Sequence, residues 1–405
     1  MDAPRALGVT TRTDSVAAAD GQQSALRPTN VAAVRDIVRD AIDHETRLRI
    51  VGRGTWLDAG RPVTDAQALS LDALSGIIDY TPGDLTLTAR AGTTLAEISA
   101  ATAAHGQWLA LAPWGGDAGS LGATAATATA GPMSGALGTP RDIVIGLEAV
   151  TGTGDVVRGG GKVVKNVAGF DLTRLMVGAW GTLGILTEVS VRLRALPERE
   201  ATVAVAAPNA APPLSDLLTR LRSAAVAPLA AEILSASLAA RLGLGDGALL
   251  LVRLAGNAEV VAAQRDALHA LAEATDIGSD VWNTLRGSDA GESTTIRFSS
   301  SVTRFPELWA SANRLASSGG GHAHGSVLRS VCRVVLPDVE GTLPVAVLDL
   351  LRAGTRDVRI FERLPAPLWS SLAPSPVGDR LSRGVRNAFD PRELLNPGIL
   401  GEDRT

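Results

Sequence analysis

The chain has 405 residues, 45% of them apolar and 20% charged, and a formal net charge of −4. That length exceeds one ordinary hydrophobic core and suits two domains, and the composition is that of a globular protein. The weak negative charge and the absence of a basic tract argue against nucleic-acid binding. The single cysteine, Cys332, excludes an intramolecular disulfide. It also excludes a cysteine-ligated iron–sulfur cluster or zinc site built from this chain alone.

Residues 1–24 contain no apolar core of a secretory signal and read as a leader. No run approaches eighteen consecutive apolar residues, so no transmembrane segment is expected. The expected location is cytoplasmic, with attachment to the inner membrane through a partner left open. From Thr29 or Asn30, an N-cap, Val31, Val34, Ile37, Val38, Ala41 and Ile42 recur at helical spacing. A strand over Leu48–Val51 then runs into the glycine turn Gly52-Arg53-Gly54. A second strand is expected near Ala68–Leu71, and Leu85, Leu87, Ala89 and Ala91 alternate with polar residues as a half-buried third. Thr94 and Glu97 form a capping box for a helix that Gly106 stops. Residues 142–160 read as a hairpin turning at "TGTG". After Pro197, where a domain boundary is placed, helical patterns such as "LSDLLTRLRSAA" and "AQRDALHALAEAT" lie between short strands.

Seventeen of the 43 glycines fall between Gly115 and Gly184. Glycine is entropically costly in regular structure, so either irregular loops or a ligand approached by backbone must account for them. A nucleotide diphosphate is such a ligand, because backbone N–H groups in a glycine turn can cradle its charge. The P-loop template fails, since Val163 follows Lys162 and position 156 is Val156. The dinucleotide fingerprint fails as well: Leu57 stands where Gly52-Arg53-Gly54 requires its third glycine, and Val157 follows Gly152-Thr153-Gly154 the same way.

A series of loops remains: Val51–Trp56, Gly119–Gly131, "KNVAGFDL" over Lys165–Leu172, and "GAWGTLGILT" over Gly178–Thr187. With the corner Ala91-Gly92-Thr93-Thr94-Leu95, their order over residues 25–198 resembles the vanillyl-alcohol oxidase / p-cresol methylhydroxylase (PCMH) type of FAD-binding proteins. Within that type, "KNVAGFDLTRLMVG" is most similar to the FAD-binding subunits of bacterial glycolate oxidases. The resemblance implies an α+β fold: a two-lobed PCMH-type FAD-binding domain over 25–198, a cap domain with an antiparallel sheet over 199–384, and a segment over 385–402 returning to the first domain. It implies FAD contacts at Gly52, Arg53, Gly54, Thr55, Trp56, Gly119, Ser120, Gly122, Ala123, Thr127, Gly131, Lys165, Asn166, Gly169, Gly181, Gly184, Ile185 and Asn396. Both lysines of the chain lie in this region. Lys162 reads as an exposed residue of the hairpin and Lys165 as a flavin contact.

Three departures from the family pattern matter. Ala123 replaces a glycine, and Phe170 stands where tyrosine is usual. No histidine lies in the regions where covalent members attach the cofactor, so non-covalent FAD is expected. Relatives that oxidise 2-hydroxy acids carry a His-x6-His pair in the cap. Here His322 stands on the first position and Arg329 on the second. Arginine stays protonated and cannot ligate a metal, so no metal site is expected. His322 and Arg329 remain the catalytic candidates, with decoration of a glycine-rich turn as the plain alternative for His322 and His324. Arg297, Arg329 and Arg333 could grip a carboxylate. Cys332 reads as an inert strand residue, and Trp108, Trp114 and Trp180 as core rather than flavin shields. The implied function is the FAD-binding subunit of a complex oxidising glycolate to glyoxylate, partnered by a second FAD-binding subunit and an iron–sulfur subunit. A stand-alone dehydrogenase or oxidase of another hydroxy acid or alcohol, and a non-catalytic flavin relay, stand as alternatives.

Overall fold

A computed structural model describes residues 25–161, 171–289, 293–338, 341–353 and 356–402. The first helix, α1 (Val31–Asp43), starts at Asn30, whose side chain accepts from Ala33 N at 2.9 Å. It buries Val34, Val38 and Ala41. Strands β1 (Leu48–Val51) and β2 (Gln67–Ser70) pair in parallel. The next strands are β3 (Ile77–Thr81), β4 (Thr86–Arg90), β5 (Gln107–Trp108), β6 (Val144–Val150), β7 (Val156–Gly160), β8 (Ile185–Arg192) and β9 (Arg194–Ala195). Five of them form an antiparallel sheet in the order β3-β4-β8-β6-β7, and β5 pairs with β9. Between them lie α2 (Leu95–Ala103), α3 (Leu121–Thr127), α4 (Ser134–Leu137) and α5 (Pro140–Ile143). The Thr94–Glu97 capping box forms as its spacing predicts, with Thr94 N donating to Glu97 at 2.7 Å.

The second sheet holds β10 (Arg199–Ala206), β11 (Ala230–Leu234), β12 (Leu249–Gly256), β13 (Ala274–Ile277), β14 (Ser293–Ser299), β15 (His322–Ser326), β16 (Val331–Pro337) and β17 (Val358–Arg363). Its order is β13-β10-β12-β11-β15-β16-β14-β17, antiparallel throughout. One face is covered by the helices Ala211–Ser223, Ala258–Leu271 and Phe305–Ser318, which bury Leu214, Leu268 and Trp309 against Val252 and Val334. The other face carries Ala204, Ala230, Leu234 and Leu251. It packs on Met133, Trp282 and Leu285, with Trp108 and Trp114 half-buried against the same cluster. That second face is therefore turned toward the first sheet's loops.

The end of the chain returns to the start. Leu48 N donates to Leu394 O at 2.8 Å, and Asn396 N donates to Leu48 O at 2.9 Å. Asp390, fully buried, accepts from Leu394 N and Leu395 N at 3.0 and 2.9 Å, which fixes the turn that brings this segment in.

At the corner before α2, Gly92 N donates to Leu74 O at 2.8 Å, and a Cβ on Gly92 would fall on the Leu71 carbonyl oxygen. Backbone cannot give way there as a side-chain tip could. We expect Gly92→Ala to cost the fold at least about 3 kcal/mol, in the range of overpacked core sites. The check is the midpoint of thermal unfolding, which should fall by several degrees.

Candidate functional site

The β4–α2 corner, the loop after β1 and the loop before α3 line a groove. Its walls are largely backbone: Gly52, Gly54, Gly115, Gly116, Gly119, Gly122, Gly181 and Gly184 all line it. The lining includes Arg49 and Arg53 but no carboxylate. Gly54 holds the left-handed conformation at φ 72°, which glycine adopts without steric cost. The amides of Arg53, Gly54, Thr55 and Trp56 find no acceptor among the described residues. Arg53 is anchored by Nε donating to Gly92 O at 2.9 Å. Asn396 closes the groove floor. Its Oδ1 accepts from Ile50 N at 2.8 Å, and its Nδ2 donates to Trp180 O at 2.7 Å. Trp180 and Asn396 both sit at positive φ, 55° and 44°. Strain of this kind survives only where surrounding bonds over-determine the backbone.

The groove opens past Trp56, Trp114 and Trp180 into a second cavity of about 570 Å³. Alternation along the cap sheet builds its far wall. Glu232 (β11), His324 and Ser326 (β15), Val331 and Arg333 (β16), Arg297 (β14), and Ile360 and Glu362 (β17) project from one face of five neighbouring strands. Arg333 is ion-paired to Asp289 at 2.6 Å and to Glu362 at 2.8 Å, and its guanidinium lies over Trp114. Arg297 reaches Glu362 at 3.4 Å. Arg329 Nη1 donates to Ser134 Oγ at 3.2 Å across the seam. His324 Nδ1 is 3.3 Å from Glu232 Oε2, its ring centroid is 4.2 Å from that of Trp114, and its Nε2 has no partner among the described residues. Burial pushes the Glu232 carboxyl well up, toward its protonated form, and holds the His324 imidazole down to about 3.

Residues 23–160 match the FAD binding domain family. Residues 23–160 are an FAD-binding domain. The chain is 42% identical over 174 residues to the glycolate oxidase subunit GlcE of Escherichia coli (strain K12), covering 43% of this chain and 49% of that protein. It is 32% identical over 197 residues to the glycolate oxidase subunit GlcD of Bacillus subtilis (strain 168), covering 48% of this chain and 42% of that one. The matched stretch thus spans under half the length of either relative. p-Cresol methylhydroxylase shares the fold, with a TM-score of 0.72 over 94% of this chain and 88% of that one, at 17% identity. The α+β, PCMH-type fold expected from the loop order is the one observed.

The FAD-binding domain suits a dinucleotide in its physical details. A groove lined by no carboxylate, with Arg49 and a run of amides without acceptors among the described residues, suits the charge of a diphosphate, whereas Arg53 is already paired with Glu97 at 3.6 Å. The structure brings Gly52, Arg53, Gly54, Thr55, Trp56, Gly119, Ser120, Gly122, Ala123, Thr127, Gly181, Gly184 and Asn396 to this groove. Ser120, expected in a loop, is instead the N-cap of α3, and its Oγ accepts from Ala123 N. Gly131 lies in the second cavity instead, where a Cβ would fall on the Ala112 carbonyl oxygen. Ile185 is wholly buried at the start of β8 and lines neither cavity. Lys162, Lys165, Asn166, Gly169 and Phe170 lie outside the described residues.

In the cap, Arg329 lines the cavity and His322 does not. His322 is in a strand rather than a turn, with Nδ1 2.7 Å from Arg241 Nη1. Burial, and after it the Arg241 charge, lowers its imidazole to about 4. Two residues on, His324 reaches the cavity wall. Trp114 and Trp180 also line the cavities, where the sequence suggested core packing, while Trp108 does pack in the core. Arg49, Arg141 and Glu232 were not singled out from sequence. A charged residue inside the short strand β1, and a carboxyl within the all-buried strand β11, were the available signals.

Replacing Asn396 by Ala leaves the Ile50 amide and the Trp180 carbonyl without partners. A loss of about 2–4 kcal/mol is expected, with weakened FAD retention. Asn396→Gly, which keeps the positive φ accessible, should lose most of the same stability; chemical denaturation and flavin content after gel filtration check both. The imidazoles of His322 and His324 are neutral when folded and titrate near 6.5 when unfolded, so the unfolded state binds more protons between those values. Their contribution to stability is full above about pH 6.5 and is lost as pH falls toward 4. Glu232, raised by burial, acts in the opposite sense. The loss in thermal midpoint from pH 7 to pH 5 should therefore be smaller in an H322Q/H324Q variant than in the natural protein.

Proposed function

We propose that this chain is an FAD-dependent oxidoreductase acting on the CH–OH group of a 2-hydroxy acid, as the FAD-binding subunit of a glycolate oxidase-type complex. The reading rests on Arg329, a cation that lines the cavity onto which the FAD groove opens and has no carboxylate within ion-pair distance among the described residues, Asp142 and Glu232 acting on it only from farther off. Similarity to the two glycolate oxidase subunits supports the reaction class and the complex. Bound FAD supplies the two-electron acceptor for the carbinol carbon.

The protein's own residues hold and shield the acid. Arg329 keeps one Nη on Ser134 and has further N–H groups for a carboxylate. Burial, and then the neighbouring Arg297 charge, lower the Arg329 guanidinium. An anion lying between these two cations relieves that repulsion. Trp56, Trp114 and Trp180 wall the junction between groove and cavity and keep water from it. The chain's one cysteine cannot ligate a cluster, so electrons pass onward to an iron–sulfur partner subunit.

A second reading has this subunit relay electrons beside a catalytic second FAD-binding subunit. The placement of His322 away from the cavity, and the closure of His324 Nε2 from solvent, favour it.

Anaerobic addition of glycolate or D-lactate to the FAD-loaded chain should bleach the flavin absorbance if hydride transfer occurs here. Arg329→Gln should weaken apparent substrate affinity roughly tenfold or more, the worth of a charge-assisted hydrogen bond. Bleaching only after a second flavin subunit is added would select the relay reading. No bleaching by any hydroxy acid, alone or in the complex, removes the proposal.

A further inference from the structure

We infer that the preferred substrate is a 2-hydroxy acid carrying a second anionic group, such as a hydroxy-dicarboxylate, and that Arg141 receives that second group. This rests on the reading of the cavity as a hydroxy-acid site.

Four arginines line the cavity: Arg141, Arg297, Arg329 and Arg333. The carboxylates there are distributed unevenly among them. Arg333 takes both Asp289 and Glu362, and Arg297 shares Glu362. Glu232, the remaining acid of the wall, is buried beside His324, and that burial pushes its carboxyl up toward the uncharged form. Neither Arg141 nor Arg329 has a carboxylate within ion-pair distance among the described residues, although Asp142 and Glu232 act on Arg329 from farther off. Asp142, next in sequence to Arg141, caps α5, accepting from Thr139 N and Thr139 Oγ1 at 2.8 Å each, and its charge reaches Arg174 and Arg329 only at longer range.

The two uncommitted cations come from the two sides of the seam. Arg329 follows β15 in the cap, and Arg141 belongs to α5 of the FAD-binding domain. Arg141 is exposed, yet its Nε donates to Val177 O at 3.1 Å, so the guanidinium is held at the rim beside Gly178, and neither Nη group has an acceptor among the described residues. A monocarboxylate can use one of these cations. An acid with a second carboxylate, or a phosphate, a few bonds away can use both. Separated cations with no internal partner discriminate through the charge left unpaired by the smaller acid.

The test compares reduction of the FAD-loaded protein, in its complex if the complex is required, by racemic 2-hydroxyglutarate and malate against glycolate and racemic lactate. It is repeated with Arg141→Gln. A parallel equilibrium titration of the oxidised flavin spectrum compares 2-oxoglutarate with pyruvate, which reads binding without turnover. The expected result is at least tenfold higher reduction efficiency and tighter binding for the dianions, with the advantage abolished in R141Q and monoanion behaviour unchanged. Equal or better performance by the monoanions overturns the inference while leaving hydroxy-acid oxidation standing. An advantage for the dianions that survives in R141Q overturns the role of Arg141. If no hydroxy acid reduces the bound FAD, the underlying reading falls and the inference with it.

Discussion

The cofactor groove exists because backbone meets backbone at distances no side chain permits. Gly92 presses on the carbonyls of Leu71 and Leu74, Gly122 on Ala91, and Gly131 on Ala112. Each contact joins a loop of the groove to a strand end or a neighbouring loop. Gly122 N donates to Ala91 O at 2.9 Å, so α3 begins directly against the corner that starts α2. With side chains removed from these seams, the loops converge and their amides are left pointing at a common space. Glycine's entropic cost is offset here by a binding surface that is rigid and carries few side chains.

The second cavity follows a different rule. Its wall is a sheet face on which a period of two places alternate residues of five strands together, and those residues are unusually polar for a covered face. Such a surface is stable only when its charges are matched or neutralised. Asp289 and Glu362 match Arg333, and burial shifts the Glu232 carboxyl up and the His324 imidazole down, each toward its uncharged form. Arg286, buried on the cap side of the seam, donates to Pro113 O at 3.0 Å and pairs with Asp117. It thereby holds the loop bearing Trp114 against the cap.

Much of the first domain was legible in the sequence because its signals are local. The Asn30 and Thr94 caps, the alternation in β4 and the hairpin of β6 and β7 are each set by residues within a few positions. The glycine loops announced a backbone-lined nucleotide site for the same reason. The cap was harder. Whether His322 or His324 reaches the cavity depends on how far β15 extends into the shared face and on what Arg241, Trp114 and Glu232 occupy around it. These partners lie tens to more than two hundred residues away. The helix α3 was read as loop because Gly, Ala and Thr have no apolar periodicity to reveal it. Its first turn is fixed by the Ser120 cap and by Gly122 against Ala91, a contact between distant residues.

Asn396 adds a consequence in time. The Ile50 amide is made early in synthesis, but its acceptor emerges from the ribosome about 346 residues later. Until then the Ile50 amide lacks this acceptor and the Trp180 carbonyl lacks the Asn396 Nδ2 donor. The FAD-binding domain is begun first yet finished last, after the whole cap has been translated. A polypeptide clipped before Asn396 would therefore lack the side chain that ties β1 to the Trp180 loop at the floor of the groove.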